Sequence, residues 1–206
     1  MSAAPADNPP RPSGDAAWVS LPAPFPPEVL ARQCRDVEAL LRANPYYTFP
    51  RWNQTGSDTY AVELDNQSNQ TRNTLEFRVS DGPGVGLTLT YLNGIKKRTV
   101  FTIEPASDGS RMTVTDDYDR LPEAERAQRV AEVDRSLNAW GEALRVYFLR
   151  LKRWSWLPGW RWYIRRVWIP MTPSARRIVW LLYLITVAEF FFFLFVLLIY
   201  TIEQNK

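Results

Sequence analysis

The sequence predicts an α+β protein: an antiparallel sheet wrapped around a long C-terminal helix, followed by a single transmembrane helix. Three observations carry that prediction. Apolar residues alternate with polar ones in successive runs between Tyr60 and Val114. An apolar stripe of helical period runs from Val130 to Leu151. The 25 residues Ile178–Ile202 contain one ionisable group, Glu189. Period two is the mark of a half-buried strand, a three-four spacing that of an amphipathic helix, and an unbroken apolar run of this length that of a bilayer span.

The elements follow in chain order. Residues 1–15 hold four prolines and little apolar content, so a disordered tail is expected there. Ala17–Leu21 is a short strand ended by the proline-rich PAPFPP run. Glu28–Ala43 is expected to be helical, because Leu30, Cys34, Val37 and Leu41 fall on one face. Three alternating runs follow, on Tyr60/Val62/Leu64, Leu75/Phe77/Val79 and Leu87/Leu89/Tyr91. Asn93-Gly94 is a two-residue hairpin signal, after which Phe101 and Ile103 continue the apolar face. Asp108-Gly109 turns the chain into a last strand bearing Met112 and Val114. The opposite, polar face carries Glu63, Glu76, Arg78, Thr88, Thr90, Thr113 and Thr115 and reads as a solvated surface rather than an acid–base pair. A helix is expected from Pro122 to Arg153; its stripe of Val130, Val133, Leu137, Trp140, Leu144, Tyr147 and Leu151 must cover an apolar surface, and the sheet supplies one.

Charge is distributed unevenly. The net +3 of the 206 residues resolves into −5 over 1–142, +9 over 143–188 with no acid, and −1 over 189–206. Six of the nine tryptophans fall between Trp154 and Trp180. Residues 154–177 are therefore expected to approach a membrane, with Trp160 and Trp168 at headgroup depth and Arg161, Arg165, Arg166, Arg176 and Arg177 meeting lipid phosphates. The same mixture of arginines and aromatics suits single-stranded nucleic acid, but adjacency to a span explains it without that partner, and no nucleic acid is expected. Thr172-Pro173 is the expected start of the anchor helix. The span 178–202 leaves a short 203–206 tail, and the N-terminus lacks a signal-peptide pattern, so a tail-anchored, single-pass topology is expected. The positive-inside rule places residues 1–177 in the cytoplasm. Arginine outnumbers lysine 21 to 4, a hint of a GC-rich bacterial genome, so the expected membrane is a bacterial inner membrane. Glu189, mid-span and costly there, points to a polar contact with another transmembrane helix or to a tolerated acid.

The absence of histidine excludes Ser-His-Asp and Cys-His couples and imidazole metal sites. Cys34 is the sole cysteine, so no internal disulfide or cysteine-cluster zinc site can form; its place on an apolar helix face marks it as a small core residue. No catalytic residue, metal or cofactor is expected.

The segments FPPEVLARQCRDVEALLR, TLTYLNGIKKRTVFTIEP and SLNAWGEALRVYFLRLKRW, in that order over residues 16–153, resemble the START-like, or SRPBCC, helix-grip superfamily. Six strands are evident where that fold often has seven, and the seventh can lie in Phe49–Gln54. The resemblance implies an apolar-ligand pocket between sheet and terminal helix. Its implied wall is Phe77, Leu89, Tyr91, Phe101 and Met112 facing Leu137, Trp140, Leu144 and Tyr147. Tyr46, Tyr47, Phe49 and Trp52, in the stretch Asn44–Trp52, would lie at its mouth. Three functions are weighed: a membrane-anchored binder of a lipid or other apolar, isoprenoid- or quinone-like molecule; an accessory or assembly subunit of a membrane complex, with Glu189 contacting a membrane protein partner; and a START-like cyclase or hydrolase. The missing catalytic groups favour binding over catalysis.

Overall fold

Seven antiparallel strands form one sheet whose first two strands stand at opposite edges, with the seventh to the third lying between them in descending order from the first. The structure is a computed structural model describing residues 16–118, 135–168, 170–171 and 173–204. The expectations for the 1–15 tail, for the helix over 122–134, for Thr172 and for residues 205–206 lie outside the described residues. The chain divides into two compact units, the second beginning at Trp162.

In the first unit, β1 (Ala16–Ala23) pairs with β7 (Gly109–Asp117) along its full length. The chain then crosses to the other edge through α1 (Pro27–Cys34) and α2 (Val37–Arg42). The sequence predicts a single helix here, and the structure divides it. Asp36 leaves the helical conformation and its side chain accepts the Ala39 backbone N–H at 3.3 Å, so it caps a second helix instead of continuing the first. All four predicted facing residues, Leu30, Cys34, Val37 and Leu41, are buried.

Beyond α2 lie β2 (Tyr47–Gln54), β3 (Thr59–Asn66), β4 (Thr71–Asp81), β5 (Leu87–Tyr91), β6 (Arg98–Ala106) and then β7. β2 is the strand that alternation alone leaves hidden. Its pairing with β3 shifts register between Thr48 and Arg51, and Pro50 within that shift has no N–H to give the ladder. Asp108-Gly109 turns the chain into β7 as expected, with Ala106 opposite Gly109. Asn93-Gly94 does not close a two-residue hairpin: β5 ends at Tyr91 and β6 starts at Arg98. The physical reason lies on β4, which runs past the end of β5. Asn93 accepts the Glu76 N–H at 2.9 Å and donates to the Thr74 carbonyl at 2.9 Å, while Leu92 N–H bonds the Glu76 carbonyl at 2.7 Å. The loop thereby satisfies backbone groups that β5 leaves open, and Gly94 supplies the positive φ of 80° that lets it turn.

The long helix α3 spans Leu137–Arg153. Its N-cap is Ser136, whose side chain makes no capping bond to the helix. The buried Ser136 hydroxyl instead accepts the Asn44 side-chain amide at 2.6 Å, tying the helix start to the end of α2. Leu137, Trp140, Leu144 and Leu151 are buried on its inner face, Tyr147 is half-buried, and Gly141 and Phe148 join them there. Two short turns follow, α4 (Trp160–Tyr163) and a π-helical turn over Ile164–Trp168.

In the second unit, α5 (Pro173–Gln204) is 32 residues long. At about 1.5 Å per residue it reaches roughly 48 Å. It is long and apolar enough to cross a membrane, and none of its apolar window is buried.

Two expectations follow from the packing. A Cβ on Gly141 would meet Val19 Cγ2 at 2.7 Å, and a β-branched neighbour cannot swing aside. Helix propensity alone favours alanine there by about 1 kcal/mol, whereas overpacking costs about 1–3 kcal/mol. Gly141→Ala in the full-length protein is therefore expected to lower the thermal midpoint, and adding Val19→Ala to recover it. The Cys34 thiol, buried 3.9 Å from the Met112 sulfur, is pushed up to about 12 by burial, with Arg35 opposing weakly. The folded state keeps a proton that the unfolded thiol releases above its ordinary value of 9.0, so stability falls as pH rises from that value. The slope in denaturant titrations is expected to approach about 1.4 kcal/mol per pH unit and to shrink in Cys34→Ala.

Candidate ligand-binding site

The inner face of the sheet is filled unequally. On the β5–β6–β7 side, Leu89, Phe101, Met112, Trp140 and Leu144 are fully buried against one another. On the β2–β3–β4 side the filling stops short and leaves a half-open cavity of about 190 Å³. Its apolar lining includes Tyr47, Phe49, Val62, Leu64, Phe77 and Tyr91.

The aromatic lining is a connected series. Tyr47 meets Phe49 edge-on at 6.0 Å, Phe49 meets Trp52 at 5.1 Å, Trp52 meets Phe77 at 6.1 Å, and Phe77 meets Tyr91 at 5.9 Å. Edge-to-face contacts at these separations are favourable and hold ring orientation. Arg42 closes the series from outside, its guanidinium 5.4 Å from the Phe49 ring centre and 5.7 Å from that of Trp52, with its Nε bonded to Glu38 at 2.7 Å.

Among the described lining residues one is charged, Lys96 in the β5–β6 loop. Its ammonium lies 2.6 Å from Asp116 Oδ2, and Asp116 is fully buried. The other carboxylate oxygen accepts the Thr99 hydroxyl at 2.5 Å, and Thr99 contacts the Tyr91 hydroxyl at 3.1 Å. The ammonium also sits 5.9 Å from the Tyr91 ring centre and 5.8 Å from that of Tyr118. Burial by itself would pull the lysine down. Burial is the largest single influence, but the Asp116 carboxylate together with Tyr47, Tyr118 and Tyr91 outweighs it, so Lys96 is held well above its ordinary range and stays charged at neutral pH.

The residues expected to form the pocket divide between cavity and core. Phe77 and Tyr91 line the cavity. Leu89, Phe101, Met112, Trp140 and Leu144 pack the solid core, as does Leu137, while half-buried Tyr147 packs at its margin. Of the expected mouth, Tyr47 and Phe49 are buried cavity lining on a strand rather than loop residues, Trp52 supports Phe49 and Phe77 from behind, and Tyr46 is exposed. Lys96 and Asp116 were not anticipated. A signal for Asp116 exists: it continues the inward alternation of Ser110, Met112 and Val114 on β7. Lys96 lies in a loop and has no such periodic mark.

In the second unit, Arg176 donates to the Trp168 carbonyl at 3.0 Å, Arg166 and Arg177 are exposed, and Trp168 is half-buried. Trp160, in the first unit, packs 5.5 Å from Trp154. The side chains of Arg161 and Arg165 lie outside the described set. Glu189 is exposed midway along α5.

Among solved structures, a START superfamily protein from Mycobacterium smegmatis aligns over 67% of this chain and 99% of its own, with 12% identity and a TM-score of 0.50. The chain has a START-like fold. A Thermus thermophilus protein (16% identity, 66% of this chain, 97% of that one, TM-score 0.47) and an 18 kDa Caulobacter crescentus protein (20% identity, 69% and 99%, TM-score 0.44) are less similar in structure and do not bear on that assignment. No family model matches the chain, and no curated protein matches it significantly.

Within this START-like sheet the buried ion pair is expected to be much more costly to break than a surface pair. Asp116→Ala strands a buried ammonium and should cost about 3–5 kcal/mol. Arg35 bonds Asp81 at 2.6 Å with both side chains mostly exposed, and Asp81→Ala should cost under about 1 kcal/mol. Denaturant titration of both full-length variants measures the contrast; equal losses would remove the special status of the Lys96–Asp116 pair.

Proposed function

We propose that this protein binds a lipid or other apolar small molecule, isoprenoid- or quinone-like in character, while held at the cytoplasmic face of a bacterial inner membrane by α5. The observation that carries the reading is the half-open, aromatic-lined cavity on the β2–β3–β4 side of the sheet. A concave, largely apolar space with a few convergent polar groups is the usual form of a small-molecule site. The apolar helix supports the second part: its 32 residues exceed the length needed to cross a hydrocarbon core of about 30 Å. The arginines before it favour the inner side of the membrane. Anchoring would hold the cavity at high effective concentration beside a bilayer-borne ligand.

The test is to purify the full-length protein from membranes in mild detergent and analyse a denaturing solvent extract by mass spectrometry. A co-purifying apolar molecule near one per chain is expected. Leu75→Trp, which places an indole at the half-buried cavity lining, is expected to deplete it. A wild-type protein that carries no such molecule, and takes none up from lipid vesicles, would overturn the reading.

A further inference from the structure

We infer that Lys96 and Asp116 form the polar end of the cavity and select a neutral, hydrogen-bond-accepting head group, a carbonyl on a ring or short chain, over an isosteric carboxylate. The inference rests on the ligand-binding reading above and specifies the chemistry of the same cavity.

Size sets the first limit. A dry cavity of about 150 Å³ holds one benzene ring, and the space here is about 190 Å³. The buried part of a ligand is therefore one substituted ring or a short chain, with any remainder passing out of the half-open side. The lining favours a ring, since Tyr47, Phe49, Phe77 and Tyr91 present aromatic surfaces.

Charge sets the second limit. Lys96 is part of the cavity lining and its side chain keeps 14% of its surface exposed, whereas its partner Asp116 is fully buried and absent from the lining. A ligand thus meets a donor. Of the amides in the lining, Asn66 and Asn69 accept the local N–H groups of Ser68 and Thr71 with their side-chain oxygens, and both ends of the Asn93 amide are bonded to β4. A carbonyl placed against Lys96 would gain a charge-assisted hydrogen bond. Since Asp116 already neutralises the lysine, that gain adds no net charge to the interior. A carboxylate would bring the buried cluster to a net −1, and the desolvation of that uncompensated charge opposes binding.

The probes are 4-butylacetophenone and 4-butylbenzoate, matched in shape and differing in head-group charge at pH 7.5. Binding is measured by equilibrium dialysis with the full-length protein in lipid nanodiscs, empty nanodiscs correcting for partition. Wild type is expected to hold the ketone about tenfold or more tighter than the acid, because only the acid brings an uncompensated charge into the cluster. Lys96→Met is expected to weaken ketone binding by a similar factor. Asp116→Asn leaves the ammonium unbalanced and is expected to reverse the preference toward the acid. If a variant does not fold, as judged by circular dichroism, the wild-type comparison still decides. Equal or tighter binding of the acid by wild type, or a ketone affinity unmoved by Lys96→Met, overturns the head-group assignment while leaving ligand binding intact. Binding of neither probe overturns the cavity as a ring-sized site, and with it this inference.

Discussion

The arrangement of the first unit depends on one buried indole. Trp140 is completely inaccessible, and its ring N–H donates to the Leu40 carbonyl at 2.9 Å. Its ring meets Phe101 edge-on at 5.7 Å and Tyr47 at 6.2 Å. A buried N–H without a partner costs on the order of 1–3 kcal/mol, so this contact fixes the register of α3 against α2 as well as filling space. Through Phe101 it fixes α3 against the middle of the sheet, and through Tyr47 against the edge strand β2. The Asn44–Ser136 bond lies on the same junction and sets where the helix begins. Three other segments, α2, β2 and β6, thus converge on a side chain that can adopt few other positions.

That convergence explains why the space behind the sheet is half core and half cavity. Trp140, Leu144 and Phe148 fill the volume toward β6 and β7. Among the described residues, the helices contribute only Leu41 of α2 to the cavity lining. The β2–β3–β4 face retains the half-open cavity, and Asp116, the one fully buried carboxylate among the described residues, lies nearby. A lysine–aspartate pair is an expensive way to close a core, because removing both charges from water costs more than apolar filling would. Its cost is reduced here by the second hydrogen bond from Thr99 and by the aromatic faces around the ammonium.

Much of this was legible in the sequence, and the exceptions have physical causes. Strands β3 to β7 announce themselves because one face is buried and the other is wet, which forces alternation. The inner faces of α1, α2 and α3 are legible for the corresponding reason. β2 was obscured by Pro50 and by the register shift around it, which break the alternation that would reveal it. The division at Asp36 depends on a side-chain cap that competes with a helix that could otherwise continue. Asn93-Gly94 has the composition of a tight hairpin, but its side chain serves a neighbouring strand, a long-range demand that no local pattern encodes. The cavity is harder still. Whether an inward residue lines a void or fills a core depends on what stands opposite, so Phe77 and Phe101 look alike in sequence and differ in role. The Lys96–Asp116 pair joins a loop to a strand and is invisible to any periodicity except the inward phase of Asp116.

The two outermost strands carry a further consequence. An open sheet offers unpaired N–H and C=O groups along both margins, a template for adding strands from another molecule. Here each margin contains a proline, Pro22 in β1 and Pro50 in β2, and the second is also offset by a register shift. A chain docking against either rim would find a missing donor and, on β2, a ladder out of step. Crowded copies of this domain are thereby discouraged from zipping together into extended sheets. The same irregularity that hid β2 from the pattern of the sequence serves as protection against self-association.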